Sequence, residues 1–254
     1  MSKIALITGA TAGFGLATAR IFAKNGLNLI ITGRRNERLL DLQKELVALF
    51  NVKVLPLCFD VRHQKAVEQN LGNLSAEWSH VDILVNNAGL AAGFSTIDNG
   101  NLEDWETMID TNLKGLLYVS RTILPGMKAR RSGHVVNIGS IAGKETYRFG
   151  NVYCATKHAV DSLTKAMRID LLPFNIKVTG ICPGAAETEF SLVRYKGDAD
   201  KANSVYKGFE PLVAQDIAEI IWFAVNRPWH VNLNDIVVTP TAQANAFYIE
   251  KANN

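Results

Sequence analysis

The chain has 254 residues, of which 48% are hydrophobic, and its formal net charge is only +3. This apolar content is enough for a large buried core and excludes a disordered chain. No block of lysine and arginine is long enough to indicate a nucleic-acid partner. No stretch reaches the length of a membrane span, and the apolar run Lys3–Thr8 is too short for a signal peptide. The cysteines have no metal-ligand spacing, so we expect a cytoplasmic protein with reduced thiols, no metal and no membrane association.

Short runs rich in β-branched residues alternate along the chain with longer segments of helical periodicity. Because the short runs are apolar nearly throughout, they predict strands buried on both faces. We therefore predict a single α/β domain over residues 1–254, a doubly wound parallel sheet of Rossmann type with about seven strands and helices on both faces. In chain order, the predicted strands are Ile4–Thr8, Leu27–Thr32, Val52–Phe59, Val81–Asn86, His134–Ile138, Lys177–Cys182 and Ile236–Thr239, and the predicted helices are Gly15–Lys24, Asn36–Phe50, His63–Leu74, Leu102–Arg130, Val152–Leu172 and Val213–Asn226.

Three stretches depart from this alternation. Pro125 lies inside the Leu102–Arg130 pattern and predicts a kink or a split there, because proline lacks an N–H and its ring crowds the preceding turn. The polar segment at about 184–207 follows a strand and predicts a substrate-side loop of the kind that covers a site. The tail at about 241–254 could fray, but its aromatic residues indicate packing, for example against a neighbouring subunit.

A glycine-rich turn, Thr8-Gly-Ala-Thr-Ala-Gly-Phe-Gly15, follows the first predicted strand and opens the first predicted helix. Glycines let the backbone approach a pyrophosphate closely, and the helix N-terminus offers N–H donors and a positive dipole end. A structural tight turn would account for the glycines alone. The strand before the turn and the helix after it favour nucleotide binding.

Arg34 and Arg35 stand at the end of the second predicted strand. In a dinucleotide site an acidic residue at this place binds the ribose 2′-OH of NAD, whereas arginine accommodates the 2′-phosphate of NADP. The next carboxylate is Glu37. The arginines could simply begin a helix, but cations are least favoured at that end. The pair therefore predicts NADP(H) as the cofactor.

Tyr153 and Lys157 lie four residues apart in a predicted helix, so their side chains share one face. A phenol with a pKa near ~10 transfers protons poorly at neutral pH. An ammonium group beside it lowers that pKa, and a hydroxyl such as Ser140 could hold a carbonyl or alcohol oxygen. This arrangement suits general acid–base interconversion of an alcohol and a carbonyl, although the pair at this spacing also arises by chance.

The order of motifs along the whole chain resembles that of the short-chain dehydrogenase/reductase family. The motifs are Thr8 with Gly9-x-x-x-Gly13-x-Gly15, then Asn86-Asn87-Ala88-Gly89, Asn112, Ser140, Tyr153-x-x-x-Lys157, and Pro183-Gly184 with Thr188.

The resemblance implies a role for each candidate catalytic residue. Tyr153 would be the general acid–base, and Lys157 would lower its pKa and bind the nicotinamide ribose. Ser140 would position the substrate oxygen, and Asn112 would support a water-linked proton path to Lys157. The resemblance also implies a homotetramer.

The same resemblance implies the cofactor contacts. Asp60 and Val61 would flank the adenine, Asn87 would approach the adenosine ribose, and the turn 183–188 would touch the nicotinamide side. The predicted NADP(H)-binding residues are Gly9, Thr11, Gly13, Phe14, Gly15, Arg34, Arg35, Asp60, Val61, Asn87, Gly89, Tyr153, Lys157, Pro183, Gly184 and Thr188.

Arg148 and Arg194 lie in segments expected to border the substrate. Arginine there could bind a carboxylate or sulfonate. Alternatively, each is a surface arginine paired with Glu187, Glu189 or Asp198, which would contribute little. The predicted substrate contacts are Ser140, Tyr153, Arg148 and Arg194.

The segments 103–112 and 188–198 resemble the NADP-dependent 3-hydroxy acid dehydrogenase branch of the family. Members act on serine, allo-threonine and 3-hydroxypropionate or malonic semialdehyde, and a close offshoot reduces sulfoacetaldehyde to isethionate. The resemblance implies an NADP(H)-dependent oxidoreductase of small anionic hydroxy compounds. A reductase of larger uncharged carbonyls and a catalytically silent nucleotide-binding sensor remain as alternatives.

Overall fold

The computed structural model describes residues 2–252. In this range no helix combines the length and the apolar character that crossing a membrane requires. The strands are β1 Ile4–Ile7, β2 Asn28–Gly33, β3 Val54–Cys58, β4 Val81–Asn86, β5 Gly133–Ile138, β6 Ile176–Pro183, β7 Ala186–Glu187, β8 Leu212–Val213 and β9 Asp235–Val238. The α-helices are α1 Gly13–Lys24, α2 Asn36–Phe50, α3 Gln64–Leu71, α4 Leu102–Ile109, α5 Leu116–Arg130, α6 Asn151–Leu171, α7 Glu189–Arg194, α8 Ala199–Ser204 and α9 Ala214–Val225.

A seven-stranded sheet in the order β3-β2-β1-β4-β5-β6-β9 forms the centre of the fold. All its neighbouring strands pair in parallel, so the predicted doubly wound parallel sheet is confirmed. The strand order reverses between β1 and β4. The connections after these two strands therefore leave towards opposite faces, which opens a crevice at the carboxyl ends of the strands.

Two apolar layers enclose the sheet. Side chains of successive strand residues point to opposite faces. In β1, Ile7 packs with residues of α1, α2 and α9, whereas Leu6 packs with residues of α3, α5 and α6. Both side chains are fully buried. This burial on both faces is the reason why the strands are nearly continuous apolar runs in the sequence.

Of the predicted kink or split at Pro125, the split is absent. Helix α5 continues through Pro125 to Arg130. Pro125 and Arg121 are both exposed, so water can bond the Arg121 carbonyl that loses its N–H partner. Ile123 and Met127 are buried beside Pro125 and hold the helix on the sheet. The irregularity in this helical pattern is a π turn, Asp110–Gly115, between α4 and α5.

The segment predicted as a loop at about 184–207 contains two short helices, α7 and α8, and the strand β7, which pairs with β8. Thr188 and Asp198 cap the helices by accepting hydrogen bonds from the backbone N–H groups of Phe190 and Lys201. Helices of six residues are too short for a detectable hydrophobic periodicity. The remaining predicted elements exist, with ends that differ by at most three residues.

The C-terminal tail folds back on its own chain as far as the structure describes it. The backbone N–H of Ala252 donates to the Gly208 carbonyl at 2.8 Å. The Gln243 side-chain oxygen accepts from the Ala185 N–H at 2.7 Å. Phe247 remains 68% exposed. Residues 253 and 254 of the predicted tail lie outside the described range.

Candidate active site

A cavity of about 510 Å³ follows the carboxyl ends of the central strands. It extends from the glycine turn and the Arg34–Arg35 pair to Ser140 and Tyr153. All the predicted cofactor residues line it except Gly15. Of the predicted catalytic residues, Ser140, Tyr153 and Lys157 line it. The fold thus brings together residues that are far apart in the sequence.

The glycine turn is held against the end of β4. The Asn87 amide donates to the carbonyls of Thr8 at 2.8 Å and Gly9 at 3.1 Å. In return, the Thr8 hydroxyl accepts from the N–H groups of Asn87 and Ala88, both at 3.0 Å. A Cβ on Gly15 would clash with the Gly9 carbonyl and the Asn87 amide. Asn87 therefore shapes this turn as well as lining the cavity, and Gly15 is required for packing rather than for lining.

The N-terminus of α1 faces this cavity with its backbone donors available. Its N-cap residue is Ala12, which makes no side-chain cap, and its first turn contains no acidic residue. Gly13 lines the cavity with φ +51°, and a Cβ added to it would lie 3.6 Å from Thr188 Cβ. Free N–H groups at a helix N-terminus form a binding site for a phosphate group. The turn therefore fits the pyrophosphate of a dinucleotide.

The two arginines also line this phosphate end of the cavity. Arg34 is 57% exposed and approaches Asp60 at 3.8 Å. Arg35 donates to the Thr11 hydroxyl at 2.9 and 3.1 Å. It also forms an ion pair with Glu189 at 2.8 Å. Two guanidinium groups at this position fit a 2′-phosphate.

Tyr153 lies in the first turn of α6, and Lys157 lies one turn later on the same face. Both side chains are buried. Lys157 Nζ donates to the Ile138 carbonyl at 2.9 Å and lies 6.0 Å from the centroid of the Tyr153 ring. Ser140 follows the end of β5, and its hydroxyl accepts from the Ala142 N–H at 3.1 Å. The predicted helical geometry of the Tyr–Lys pair is present.

The electrostatics differ from the expectation that Lys157 lowers the pKa of Tyr153. Burial raises the pKa of Tyr153, and Tyr147 adds to the rise, while the Arg194 guanidinium and the Ser140 hydroxyl oppose it. Burial lowers the pKa of Lys157 to about 8. Lys157 is directed to the Ile138 carbonyl, so in this structure Arg194 is the cation that favours the phenolate.

Asn112 occupies the π turn and lies behind the cavity wall. Its amide oxygen accepts from the Leu90 N–H at 2.8 Å, and its amide nitrogen donates to the Leu90 carbonyl at 2.8 Å. A Cβ on Gly89 would lie 3.2 Å from Asn112 Oδ1 and 3.6 Å from Lys157 Nζ. Glycine at position 89 therefore keeps the space between the amide and the ammonium open. The π turn gives this asparagine its orientation.

Arg194 enters the cavity above Tyr153. Its guanidinium carbon lies 5.0 Å from the Tyr153 ring centroid and 5.2 Å from that of Phe190. One of its terminal nitrogens donates to the Tyr147 hydroxyl at 2.6 Å. Its Nε is buried and has no hydrogen-bond partner among the described residues. None of the carboxylates considered as surface partners forms an ion pair with Arg194. Glu189 binds Arg35 and Arg38 instead, and Asp198 binds Lys201.

The structure does not bring Arg148 to this cavity. Arg148 is exposed, and its guanidinium carbon lies 4.5 Å from the centroid of the Phe149 ring. The neighbouring Tyr147 points inward instead and lines the cavity. Of the predicted substrate contacts, Arg148 is therefore the one that does not line the cavity in this structure, because the backbone presents Tyr147 and Arg148 to different sides.

The model of the short chain dehydrogenase family matches residues 3–197. The chain belongs to the short-chain dehydrogenase family.

Relatives within this family agree with the branch that the sequence resembles. The NADP-dependent 3-hydroxy acid dehydrogenase of Salmonella typhi is 48% identical over 242 residues, which cover 95% of this chain and 96% of that protein. Sulfoacetaldehyde reductase 2 of Chromohalobacter salexigens is 45% identical over 253 residues, which cover 99% and 100%. A solved closed form of serine dehydrogenase complexed with NADP⁺ has a TM-score of 0.91 and 46% identity, covering 98% of this chain and 100% of that one.

Several residues that line the cavity of this short-chain dehydrogenase were not predicted from the sequence. Gln243 reaches it from the tail, and Phe190 and Glu189 reach it from α7. Gln243 is 58 positions from its partner Ala185. No local sequence pattern predicts a contact between residues so far apart in the sequence. For α7, a threonine at position 188 is a sequence signal for a helix N-terminus. This signal does not indicate which side chains of the helix face the cavity.

Proposed function

We propose that this short-chain dehydrogenase is an NADP(H)-dependent oxidoreductase that interconverts a small anionic hydroxy compound with its aldehyde or ketone. The substrate class comprises 3-hydroxy acids such as serine, allo-threonine and 3-hydroxypropionate, and the sulfonate pair sulfoacetaldehyde and isethionate. The names of the relatives support both head groups, since one is a 3-hydroxy acid dehydrogenase and another a sulfoacetaldehyde reductase.

The observation that supports an anionic substrate is the environment of Arg194. A buried guanidinium nitrogen without a partner costs free energy unless a ligand satisfies it. Four aromatic rings lie within 6 Å of the Arg194 guanidinium carbon and shield part of its charge from water. An anion bound there would stand next to Tyr153. Arg194 and Tyr153 would therefore bind the two ends of one small molecule.

In carbonyl reduction, Tyr153 Oη donates a proton to the carbonyl oxygen, which the Ser140 hydroxyl holds in place. In alcohol oxidation, the phenolate of Tyr153 removes the alcohol proton. Arg194 stabilises that phenolate and holds the anionic group of the substrate. After reduction, the protonated Lys157, with Asn112 on the far side of the Gly89 gap, returns a proton to Tyr153. After oxidation, the neutral Lys157 accepts the proton that Tyr153 has taken from the alcohol.

The cofactor site fits NADP(H) by its donors. The α1 N-terminus would hold the pyrophosphate, and Arg34 with Arg35 would hold the 2′-phosphate. When bound, NADP(H) supplies or accepts the hydride. Lys157 would bind the nicotinamide ribose, and the turn 183–188 would border the nicotinamide. Solved relatives contain NADP⁺ or NADP, in agreement with the predicted cofactor.

The two alternatives make different demands on this site. A reductase of larger uncharged carbonyls has no use for an arginine beside the acid–base residue whose buried Nε lacks a hydrogen-bond partner among the described residues. A catalytically silent sensor has no need for Ser140, Tyr153 and Lys157 to line one cavity. Both observations favour our proposal.

A side-by-side activity panel tests the proposal. NADPH consumption is measured with malonic semialdehyde, sulfoacetaldehyde and an uncharged aldehyde of similar size, and NADP⁺ reduction with serine and 3-hydroxypropionate. We expect kcat/KM for at least one anionic aldehyde to exceed that for the uncharged one by at least tenfold, because a charge-assisted hydrogen bond contributes about 1.5–3 kcal/mol. Equal values would exclude anion recognition, and no turnover with any compound would favour the sensor.

We also propose a homotetramer of single-domain subunits in the cytoplasm. Free Cys58, Cys154 and Cys182 support a reducing compartment. Exposed apolar side chains on the long helices, Leu117 on α5 and Ile169 on α6, support subunit contacts through these helices. Light scattering of the purified protein would measure the oligomeric state, and a monomer would exclude this assembly.

A further inference from the structure

Glu189, the first residue of α7, connects α7 to the start of α2. Its carboxylate oxygens bind Arg35 at 2.8 Å and Arg38 at 2.6 Å. Arg35 lies at the turn into α2, and Arg38 lies in the first turn of α2. Burial raises the pKa of Glu189, but the hydrogen bonds from Arg38 and Arg35 outweigh it and lower the pKa. We call this pair of contacts the Glu189 bridge.

The Glu189 bridge extends to the glycine turn. Arg35 also donates to the Thr11 hydroxyl at 2.9 and 3.1 Å. Thr11, Arg35 and Glu189 all line the cavity. Three separate segments are therefore tied together over the phosphate end of the cofactor site, namely the glycine turn, the start of α2 and the start of α7.

The same short helix carries the substrate side of the cavity. The ring centroids of Phe190 and Tyr153 are 5.5 Å apart. Arg194, the last residue of α7, has its guanidinium carbon 5.0 Å from the Tyr153 ring centroid. Because α7 has only six residues, a shift at Glu189 also moves Phe190 and Arg194.

We propose that Glu189 is a positioning residue whose bridge to Arg35 and Arg38 holds α7 over the cofactor, slows cofactor release and sets Arg194 against Tyr153. The effect on cofactor release is independent of the substrate. The effect on Arg194 rests on the proposed anion contact. The two effects can therefore fail separately.

The size of the effect follows from exposure. The side chains of Arg35 and Glu189 are 43% and 40% exposed, so solvent screens the pair. Exposed ion pairs of this kind are weak individually. Two of them acting together predict a change of about two- to tenfold in the rate of cofactor release, with a smaller change at high salt.

The test measures NADPH release by stopped-flow displacement, with cofactor fluorescence as the signal. The variants are Glu189→Gln, Arg38→Gln and the double variant, with Glu77→Gln as the control. Arg38 does not line the cavity, so its substitution breaks the bridge without removing a cavity-lining group. Glu77 forms an exposed ion pair with Lys53 and does not line the cavity, so its substitution removes a comparable surface ion pair away from the cofactor site.

We expect Glu189→Gln to release NADPH about two to ten times faster than the wild type. Arg38→Gln breaks only one of the two ion pairs and should release it faster by a smaller factor, about 1.5- to 5-fold. The Glu77→Gln control should release it at the wild-type rate. The double variant should be no faster than Glu189→Gln, because both changes remove the same bridge. In Glu189→Gln, the KM for an anionic aldehyde should rise above the wild-type value. The KM of the same variant for an uncharged aldehyde should remain unchanged.

An unchanged release rate in Glu189→Gln or in Arg38→Gln overturns the proposal. Slower release in Glu189→Gln also overturns it, because Glu189 would then compete with the 2′-phosphate for Arg35. If the activity panel shows no anion preference, only the KM part loses its basis. Thermal unfolding of each variant separates a loss of folding from a change in release.

Discussion

The guanidinium carbon of Arg194 lies 5.0 Å from the ring centroid of Tyr153, and among the described residues the Arg194 Nε has no hydrogen-bond partner. A half-buried cation thus lies beside the candidate acid–base residue with part of its hydrogen-bonding capacity free. This relationship leads to the first prediction.

Replacing Arg194 with methionine should lower kcat/KM for an anionic aldehyde by about 30-fold or more, because breaking a buried charged contact costs about 2–5 kcal/mol. An uncharged aldehyde of the same size should lose much less. Steady-state NADPH consumption measures both. Arg148→Met, at an exposed arginine outside the cavity, is the matched control. Equal losses for both aldehydes in Arg194→Met would refute the anion contact.

Tyr153→Phe should lower kcat by about 10²- to 10⁴-fold, the range of a general acid–base contribution. NADPH affinity should change little, because the phenyl ring still fills its place against Phe190. Single-turnover kinetics measure the rate, and fluorescence titration measures the affinity. Near-normal turnover in this variant would show that another group transfers the proton.

The pH dependence of carbonyl reduction should follow Lys157. Burial lowers the pKa of Lys157 to about 8, so its ammonium form predominates below this pH and is lost above it. If protonated Lys157 returns the proton to Tyr153, kcat/KM should be level below about pH 8 and fall above it by up to tenfold per unit. Lys165→Met, at an exposed lysine of the same helix, should keep this profile. A profile that stays level well above that pH would contradict the role.

Arg34→Ala combined with Arg35→Ala should weaken NADPH binding by at least tenfold and NADH binding much less. Each arginine offers charge-assisted hydrogen bonds worth about 1.5–3 kcal/mol to a 2′-phosphate that NADH lacks. Calorimetric titration with both cofactors measures the difference. Arg20→Ala removes a surface arginine paired with Glu45 and serves as the control. Equal weakening for both cofactors would remove the 2′-phosphate argument.

Gly89→Ala should lower kcat at least tenfold, because its Cβ would lie 3.2 Å from Asn112 Oδ1 and 3.6 Å from Lys157 Nζ. The methyl group would fill the space through which protons are proposed to pass. Gly126→Ala in α5, where the Cβ meets only the flexible end of Arg130, should keep normal activity. Full activity in Gly89→Ala would exclude a relay through this space.

The motifs for fold and chemistry could be identified in the sequence because each one is local. The glycine turn needs a strand before it and a helix after it, and the Tyr153–Lys157 pair needs only one helical turn. The substrate side could not be identified in this way. In the sequence, Arg148 and Arg194 were both candidates for contact with an anionic substrate. In the structure, the backbone around residue 147 directs Tyr147 into the cavity and Arg148 away from it.

By itself, the sequence determined the parallel sheet, the glycine turn, the arginine pair and the acid–base residues, since periodicity and short motifs depend on neighbours along the chain. Only the tertiary structure decided that Arg194 lies beside Tyr153 with its Nε unpartnered among the described residues, that Glu189 binds Arg35 and Arg38, and that Gln243 returns from the tail to Ala185. These contacts join residues distant in sequence. They depend on how α7 and the tail pack against the sheet, which no local pattern encodes.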